Sequence, residues 1–365
     1  MANENLGDAK KAKNDEFYTQ YHDIEKEMNA YLDFNKHVFR GKIVLLPCDD
    51  PEWSNFTKYF AQNFTKLGLK KLISTSYSLN SKPENLDLEP TLFELESPKY
   101  DATKAFENGR ILVLDSDTNG DGVINFEDLE WNYLEGDGDF ASSEVTALRD
   151  EADIVVTNPP FSLFRKFLAW IVEGGKQFSI LGNLNAITYK EVFPLLKNNS
   201  VWLGQTISSG DREFRVPESY PLVAASSRID QEGSKYIRVK GVRWFTNIEH
   251  GRRHQPLQLM TEADNIRFGR SGVKDVGYQK YDNYDAIEVP YTESIPSDHE
   301  GVMGVPISFM DKYNPDQFEI LGSQRWSKSD ELELIYRGDK TLHSDKATLI
   351  KGKETYDRVF VRHKP

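Results

Sequence analysis

Four short, continuous apolar runs constrain this chain more than any other feature. Lys42–Leu46, Arg110–Leu114, Asp153–Thr157 and Phe178–Leu181 each have the pattern of a buried strand, and Lys70–Ser76 reads as a further strand. Helices are expected over Asp23–Asn35, Trp53–Leu67 and Phe164–Val172. Strands alternating with amphipathic helices predict an α/β chain whose doubly wound, mostly parallel sheet is covered on both faces. After Val201 the texture changes to strand-like runs, including Tyr236–Val239, Val242–Phe245, Phe318–Leu321 and Arg358–Val361. A β-richer C-terminal region is therefore expected, with the chain divided into residues 1–250 and 251–365.

Composition removes several classes of function. At 365 residues the chain makes one large domain or two. Its one cysteine, Cys48, excludes an internal disulfide framework and any multi-cysteine zinc or iron–sulfur site. No apolar run approaches the roughly 20 residues of a membrane span, and the N-terminal stretch lacks the apolar core of a signal peptide. A cytoplasmic protein is the expectation. The net charge of −13 argues against an indiscriminate nucleic-acid coat. Between Arg228 and Lys280, however, eleven Lys and Arg face six Asp and Glu, a local +5 that suits a DNA-facing surface; Arg252 and Arg253 lie within it.

Chemistry concentrates in Asn158-Pro159-Pro160-Phe161, directly after the strand Asp153–Thr157. Open α/β sheets bind ligands outside the carboxyl ends of their strands. Two prolines fix the backbone and remove two N–H donors, leaving carbonyls aimed in a set direction. The Asn158 side-chain oxygen and the Pro159 carbonyl can then accept from an exocyclic amine, and Phe161 offers a face for a flat ring. An ordinary Pro-Pro turn closing a strand is the alternative.

DIVVTNPPF resembles the catalytic motif of S-adenosylmethionine-dependent amino-methyltransferases, (D/N/S)-P-P-(Y/F/W). More narrowly, Asp15–Met28, Leu45–Phe56, Gly136–Phe140, Asn158–Phe167, Ile180–Leu195 and Asp298–Gly322 resemble the EcoRI-type adenine-specific DNA methyltransferase family. The resemblance implies a Rossmann-like catalytic domain over 1–250 and a DNA target-recognition region over 251–365. It implies methyl transfer from S-adenosylmethionine to N6 of a flipped adenine in double-stranded DNA, and a restriction endonuclease as a possible counterpart. It makes Asn158, Pro159, Pro160 and Phe161 the catalytic turn. It also assigns Phe17, Tyr18, Thr19, Pro47, Cys48, Asp49, Asp50, Asp139, Phe140 and Asn158 to the cofactor.

Read on their own residues, these assignments keep alternatives. Phe17-Tyr18-Thr19 is equally an aromatic helix start. Pro47-Cys48-Asp49-Asp50 departs from the glycine-rich turn of the wider superfamily, so its carboxylates must work through their side chains. Asp139-Phe140 would meet the cofactor adenine or simply belong to a Gly-rich turn. Asn183 and Asn185 would line the same edge or cap the next helix.

Asp117-Thr-Asn119-Gly-Asp121-Gly122-Val123-Ile-Asn125-Phe-Glu-Asp128 matches an EF-hand loop in the order of its oxygen donors. Asp117, Asn119, Asp121, the Val123 carbonyl and Asp128 are the expected ligands of a structural calcium ion, within an insertion over 115–130. A helix over Phe126–Tyr133 should follow. A solvated, Asx-rich loop is the alternative. Two rival functions remain at this stage. One is methylation of RNA or a protein glutamine; the other is a non-catalytic DNA-binding or calcium-binding module.

Overall fold

The computed structural model describes residues 19–49, 54–78, 99–208, 211–216, 222, 227–274, 276–324, 330–338 and 347–364. The chain divides into two compact units, Met1–Leu184 with Gly204–Glu249 and Asn185–Leu203 with His250–Pro365.

The first unit begins with α1, Tyr21–Phe34, whose buried face carries Ile24, Met28 and Tyr31. Strand β1 is Ile43–Pro47, buried at every residue. The expected single helix over Trp53–Leu67 is two: α2, Asn55–Gln62, and α3, Phe64–Leu67. The side chain of Ser54 caps the first by accepting from Phe56 N at 3.1 Å. Then come β2, Lys71–Ser76; α4, Lys104–Glu107; β3, Arg110–Leu114; and β4, Glu130–Tyr133. They lead to α5, Ser143–Glu151; β5, Ile154–Thr157; α6, Phe164–Glu173; and β6, Gln177–Asn183. Helix α7, Phe193–Lys197, and β7, Trp202–Leu203, belong to the second unit. The first unit resumes with β8, Asp211–Val216; β9, Ser227–Ile229; β10, Lys235–Lys240; and β11, Val242–Thr246.

Seven of these strands form one sheet in the order β4-β3-β2-β1-β5-β6-β11. The four central strands run parallel, through the pairs β2–β1, β1–β5 and β5–β6. The flanks do not follow the expected direction. Strand β3 is antiparallel to β2, β4 to β3, and β11 to β6. In β3, burial alternates along the strand rather than covering both faces. That is the behaviour of an antiparallel flank, and a short apolar run carries no information on direction.

The helix expected over Phe126–Tyr133 is also corrected. A 3-10 turn covers Phe126–Asp128 only, and β4 follows it. Asp128, almost fully buried, decides this. Its Oδ1 accepts from Thr118 N at 2.8 Å and Asn119 N at 3.1 Å, and its Oδ2 from Asn125 N at 3.0 Å. The loop therefore closes into a hairpin between β3 and β4. Those amides, Asn125 foremost, hold the Asp128 carboxyl below the usual aspartate range.

A second buried carboxylate fastens α1. Glu27 Oε1 accepts from Tyr31 OH at 2.8 Å and Gln205 N at 2.9 Å, and Oε2 from Thr206 N at 2.8 Å. Gly204 is required beside it, because a Cβ there would lie 2.2 Å from Glu27 Oε1 and 2.5 Å from Trp244 Cβ. Burial, with the Glu27 charge alongside, drives the Tyr31 hydroxyl far above its ordinary pKa, so it remains a donor.

The second unit is built on a four-stranded sheet. Its elements in order are α8, Glu262–Phe268; β12, Ile287–Glu288; β13, Met303–Pro306; and β14, Phe318–Ser323. Helix α9, Asp330–Ile335, a small hairpin of β15, Leu349–Ile350, and β16, Lys353–Glu354, and β17, Arg358–His363, complete it. Tyr281, Tyr284, Leu321, Leu332 and Phe360 form a core there. The Arg358 guanidinium is paired with Glu288 through Nε and Nη2, and Tyr281 OH donates to the same carboxylate.

The two buried carboxylates of the first unit are open to direct test. Glu27→Ala strands the part-buried amides of Gln205 and Thr206 and leaves the Tyr31 hydroxyl with Ser179 alone, and should cost about 3 kcal/mol in chemical denaturation; a loss under about 0.5 kcal/mol would refute the role of Glu27 as a fastener. Asp128→Ala should lower the melting temperature near pH 7. The depressed carboxyl contributes above the unfolded aspartate value of about 4 and loses that contribution as pH falls through the folded value. The gap between wild type and variant should therefore close in acid, and a gap independent of pH would count against the hydrogen bonds as its source.

Candidate active site

The parallel strands β1, β2 and β5 end at one edge, and the sequence places chemistry at each end. Strand β1 runs out into Cys48 and Asp49. Cys48 adopts φ +70°, the left-handed conformation that favours glycine, at a strain of order 1–3 kcal/mol. The turn therefore exists without glycine, and it delivers Asp49 into the interior, 6% exposed. There Asp49 Oδ1 accepts from Ser54 Oγ at 2.8 Å, and Oδ2 from Thr157 Oγ1 at 2.6 Å. Thr157 Oγ1 also lies 2.5 Å from the Pro47 carbonyl.

Thr157 is the last residue of β5 and the one before Asn158. A single buried hydroxyl thus ties the β1 turn to the Asn158-Pro159-Pro160-Phe161 turn. Asn158 is half-buried, Pro159 and Pro160 are buried and Phe161 is half-buried. The Pro160 carbonyl accepts from Leu163 N at 2.9 Å as α6 begins. The Phe161 ring meets Phe214 of β8 edge-on, centroids 6.4 Å apart, so its position is set by the small sheet β8-β10-β9.

Thr19 joins the same corner. Its carbonyl accepts from Asn55 Nδ2 at 2.7 Å, one residue after the cap that holds Asp49. Phe17, Tyr18 and Asp50 lie outside the described residues. The turn Gly136–Phe140 packs at the end of β2: Ser78 N donates to Asp137 O at 2.8 Å, and a Cβ on Gly138 would sit 2.2 Å from Ser76 O. Asp139 accepts from Ala141 N at 2.8 Å. Phe140 is buried, edge-on to Phe167 at 5.0 Å and Trp170 at 5.6 Å. Its ring belongs to the packing under α6.

Sequence reasoning missed Ser54, Thr75, Ser76 and Thr157. The hydroxyls of Thr19, Thr75 and Ser76 are buried and lack a hydrogen-bond partner among the described residues. Buried polar atoms are nearly always satisfied, so this strand-end cluster suits a polar ligand such as S-adenosylmethionine. The one signal in the sequence was hydroxyl residues closing otherwise apolar strands, Ser74-Thr75-Ser76 and Thr157.

The calcium expectation finds less to stand on. Asp117 accepts from Gly120 N and Gly122 N, Asn119 from Asp121 N, and Asp121 from Val123 N. Asp128, expected to close the coordination shell, is turned onto the loop's own amides. Among the described residues, no group of three or more His, Cys, Asp or Glu is arranged to hold a metal ion.

The basic segment 228–280 also needs correction. Arg243 is buried, donating to the carbonyls of Val242 and Ser208, and Arg253 is buried with its guanidinium 3.8 Å over the Trp202 ring. Neither is an exposed phosphate contact. Among the described residues no helix is long and apolar enough to cross a membrane.

The family described as adenine-specific methyltransferase EcoRI matches residues 5–364. The chain is 41% identical to the type II methyltransferase M.EcoRI of Escherichia coli over 362 residues, 99% of this chain and 97% of that protein. It is 33% identical to the type II methyltransferase M.MpnI of Mycoplasma pneumoniae, over 98% of this chain and 97% of that one. No solved structure shows significant similarity to it. A match of this extent, over a parallel sheet with Asn-Pro-Pro-Phe at its carboxyl edge, means that the chain belongs to the EcoRI family of adenine-specific methyltransferases and is an enzyme of DNA adenine methylation.

Proposed function

We propose that the Asn158-Pro159-Pro160-Phe161 turn is where a flipped adenine of duplex DNA receives its methyl group on N6. The observation that carries the reading is the Thr157 hydroxyl between Asp49 and the Pro47 carbonyl, which sets the turn against the β1 loop. Turning the base out costs a few kcal/mol of stacking, and the half-buried Phe161 ring offsets part of it. The Asn158 side-chain oxygen and the Pro159 carbonyl accept from the amine and orient its lone pair. S-adenosylmethionine, when bound, supplies the electrophilic methyl group. Thr19, Asp49, Thr75, Ser76 and Asp139 supply the polar groups that would hold it, and Phe140 supports that wall from beneath.

Positioning accounts for the acceleration in this scheme. The amine needs no base before transfer, because it becomes acidic only once alkylated. A rival substrate with a planar amide or amine, such as RNA or a protein glutamine, is separated by direct competition with duplex DNA. A restriction endonuclease counterpart fits the type II relatives.

Asn158→Ala should lower turnover on duplex DNA by about 10²-fold or more while S-adenosylmethionine affinity stays within about twofold. Wild-type turnover by the purified variant would remove Asn158 from the chemistry. For the 117–128 loop we propose a structural calcium role through Asp117, Asn119, Asp121 and the Val123 carbonyl. Millimolar calcium should then raise the melting temperature by mass action, and Asp117→Ala with Asp121→Ala should abolish the rise. An unchanged wild-type melting temperature would leave Asp128's hydrogen bonds as the loop's clasp.

A further inference from the structure

The small antiparallel sheet β8-β10-β9 has two unlike faces. Its register pairs Ile237 with Phe214 and Lys235 with Val216 on one face, and Val239 with Arg212. Phe214, Val216 and Val239 of this face are buried in the same core as α1 and the ends of the large sheet, and Phe161 packs against that core. The other face pairs Tyr236 with Arg215 and Arg228, Arg238 with Glu213, and Lys240 with Asp211. Four cations, Arg215, Arg228, Arg238 and Lys240, therefore share one face with Glu213, Asp211 and, just past β9, Asp230 beside Tyr236, in a chain whose net charge is −13.

That face is built rather than merely charged. The Arg228 guanidinium lies 4.2 Å over the Tyr236 ring and donates from Nε and Nη2 to Glu213 at 2.8 and 2.6 Å. Those bonds, with Arg228 and Arg238 nearby, hold the Glu213 carboxyl below its usual range. Glu213 thus stays ionised and braces Arg228 flat. Arg238, with 60% of its side chain exposed, reaches no closer than 3.9 Å to Glu213, and Arg215 and Lys240 are exposed. Because strands carry these charges, their spacing is set by the backbone and not by flexible loops.

We propose that this outward face of β8-β10-β9 is a phosphate-contacting surface for duplex DNA, placed by the Phe214–Phe161 contact beside the turn that takes the adenine. It rests on the reading that the enzyme acts on duplex DNA, and it narrows the expected basic segment 228–280 to one strand face, which also takes in Arg215 of β8. A sheet whose inner side fixes Phe161 presents its cations about one sheet thickness away, roughly 10 Å. The phosphates flanking an everted nucleotide fall within that reach.

The test uses the full chain and the variant Arg238→Ala with Lys240→Ala. Duplex affinity is read by fluorescence anisotropy across a salt series, S-adenosylmethionine affinity by calorimetry and folding by melting temperature. The variant should bind duplex more weakly, and its log–log salt slope should flatten by about 0.9 for each phosphate no longer neutralised. Cofactor affinity and melting temperature should match wild type. Arg238→Lys with Lys240→Arg should restore the slope, since it keeps both charges. Unchanged duplex affinity and slope in the alanine variant would overturn the proposal, as would a slope change seen with a single-stranded RNA of equal length but not with the duplex. A wild-type protein that fails to bind or methylate duplex DNA would instead sink the functional reading.

Discussion

The Asp49 carboxylate, buried between two hydroxyls, is the constraint on which the catalytic edge depends. A carboxylate in the interior is tolerated only when its oxygens are occupied. Here Thr157 at the end of β5 and Ser54 at the head of α2 occupy one oxygen each. Ser54 also caps its helix through Phe56 N, and Ser74 Oγ of β2 donates to the Asp49 carbonyl at 3.2 Å. Three strand ends and one helix terminus thus converge on one residue. The left-handed Cys48 is the strain accepted to put that residue there. Asn158 inherits its position from this corner, being the next residue after Thr157.

Glu27 performs the same service on the far side of the turn. By gripping Gln205 and Thr206 it fixes the chain shortly before β8, and β8 carries Phe214 against Phe161. The Asn158–Phe161 turn is held at its first residue through Thr157 and at its last through Phe214. A rigid acceptor geometry is what an orientation-driven methyl transfer needs, and both fasteners are buried carboxylates fed by amides and hydroxyls.

Much of this was legible in the sequence, for identifiable reasons. Strands β1, β5 and β6 are buried on both faces, so each wrote a continuous apolar run, and Asn-Pro-Pro-Phe after one of them marked the edge. Direction was not legible. RILVL looks the same whether it runs with or against β2; its register is antiparallel to β2, and the hairpin closed by Asp128 then turns β4 back against β3. Glu127 and Asp128 read as the start of a helix, because a local pattern cannot reveal that a carboxylate is bound by amides nine and ten residues back. The packing of Phe140 was not legible either, because its partners Phe167 and Trp170 come from α6, distant in sequence. Counting charges was equally blind to Arg253, which a Trp202 ring draws out of the surface, and to Arg243, consumed by two carbonyls.

The distribution of charge that remains has a consequence for an acidic enzyme acting on a polyanion. Net charge of −13 opposes long-range attraction to DNA, so binding cannot come from a diffuse basic coat. It must come from a few cations held where a phosphate arrives, and each such contact releases its counterion separately. Of the basic residues between Arg228 and Lys280, those on the β10 face answer that description because the strands fix their spacing and Glu213 fixes Arg228. A small number of rigid contacts also limits how tightly bulk DNA is retained. On the proposed reading, binding strength is then left to interactions made after the base has turned out onto Phe161, where it assists the reaction rather than mere residence on the duplex.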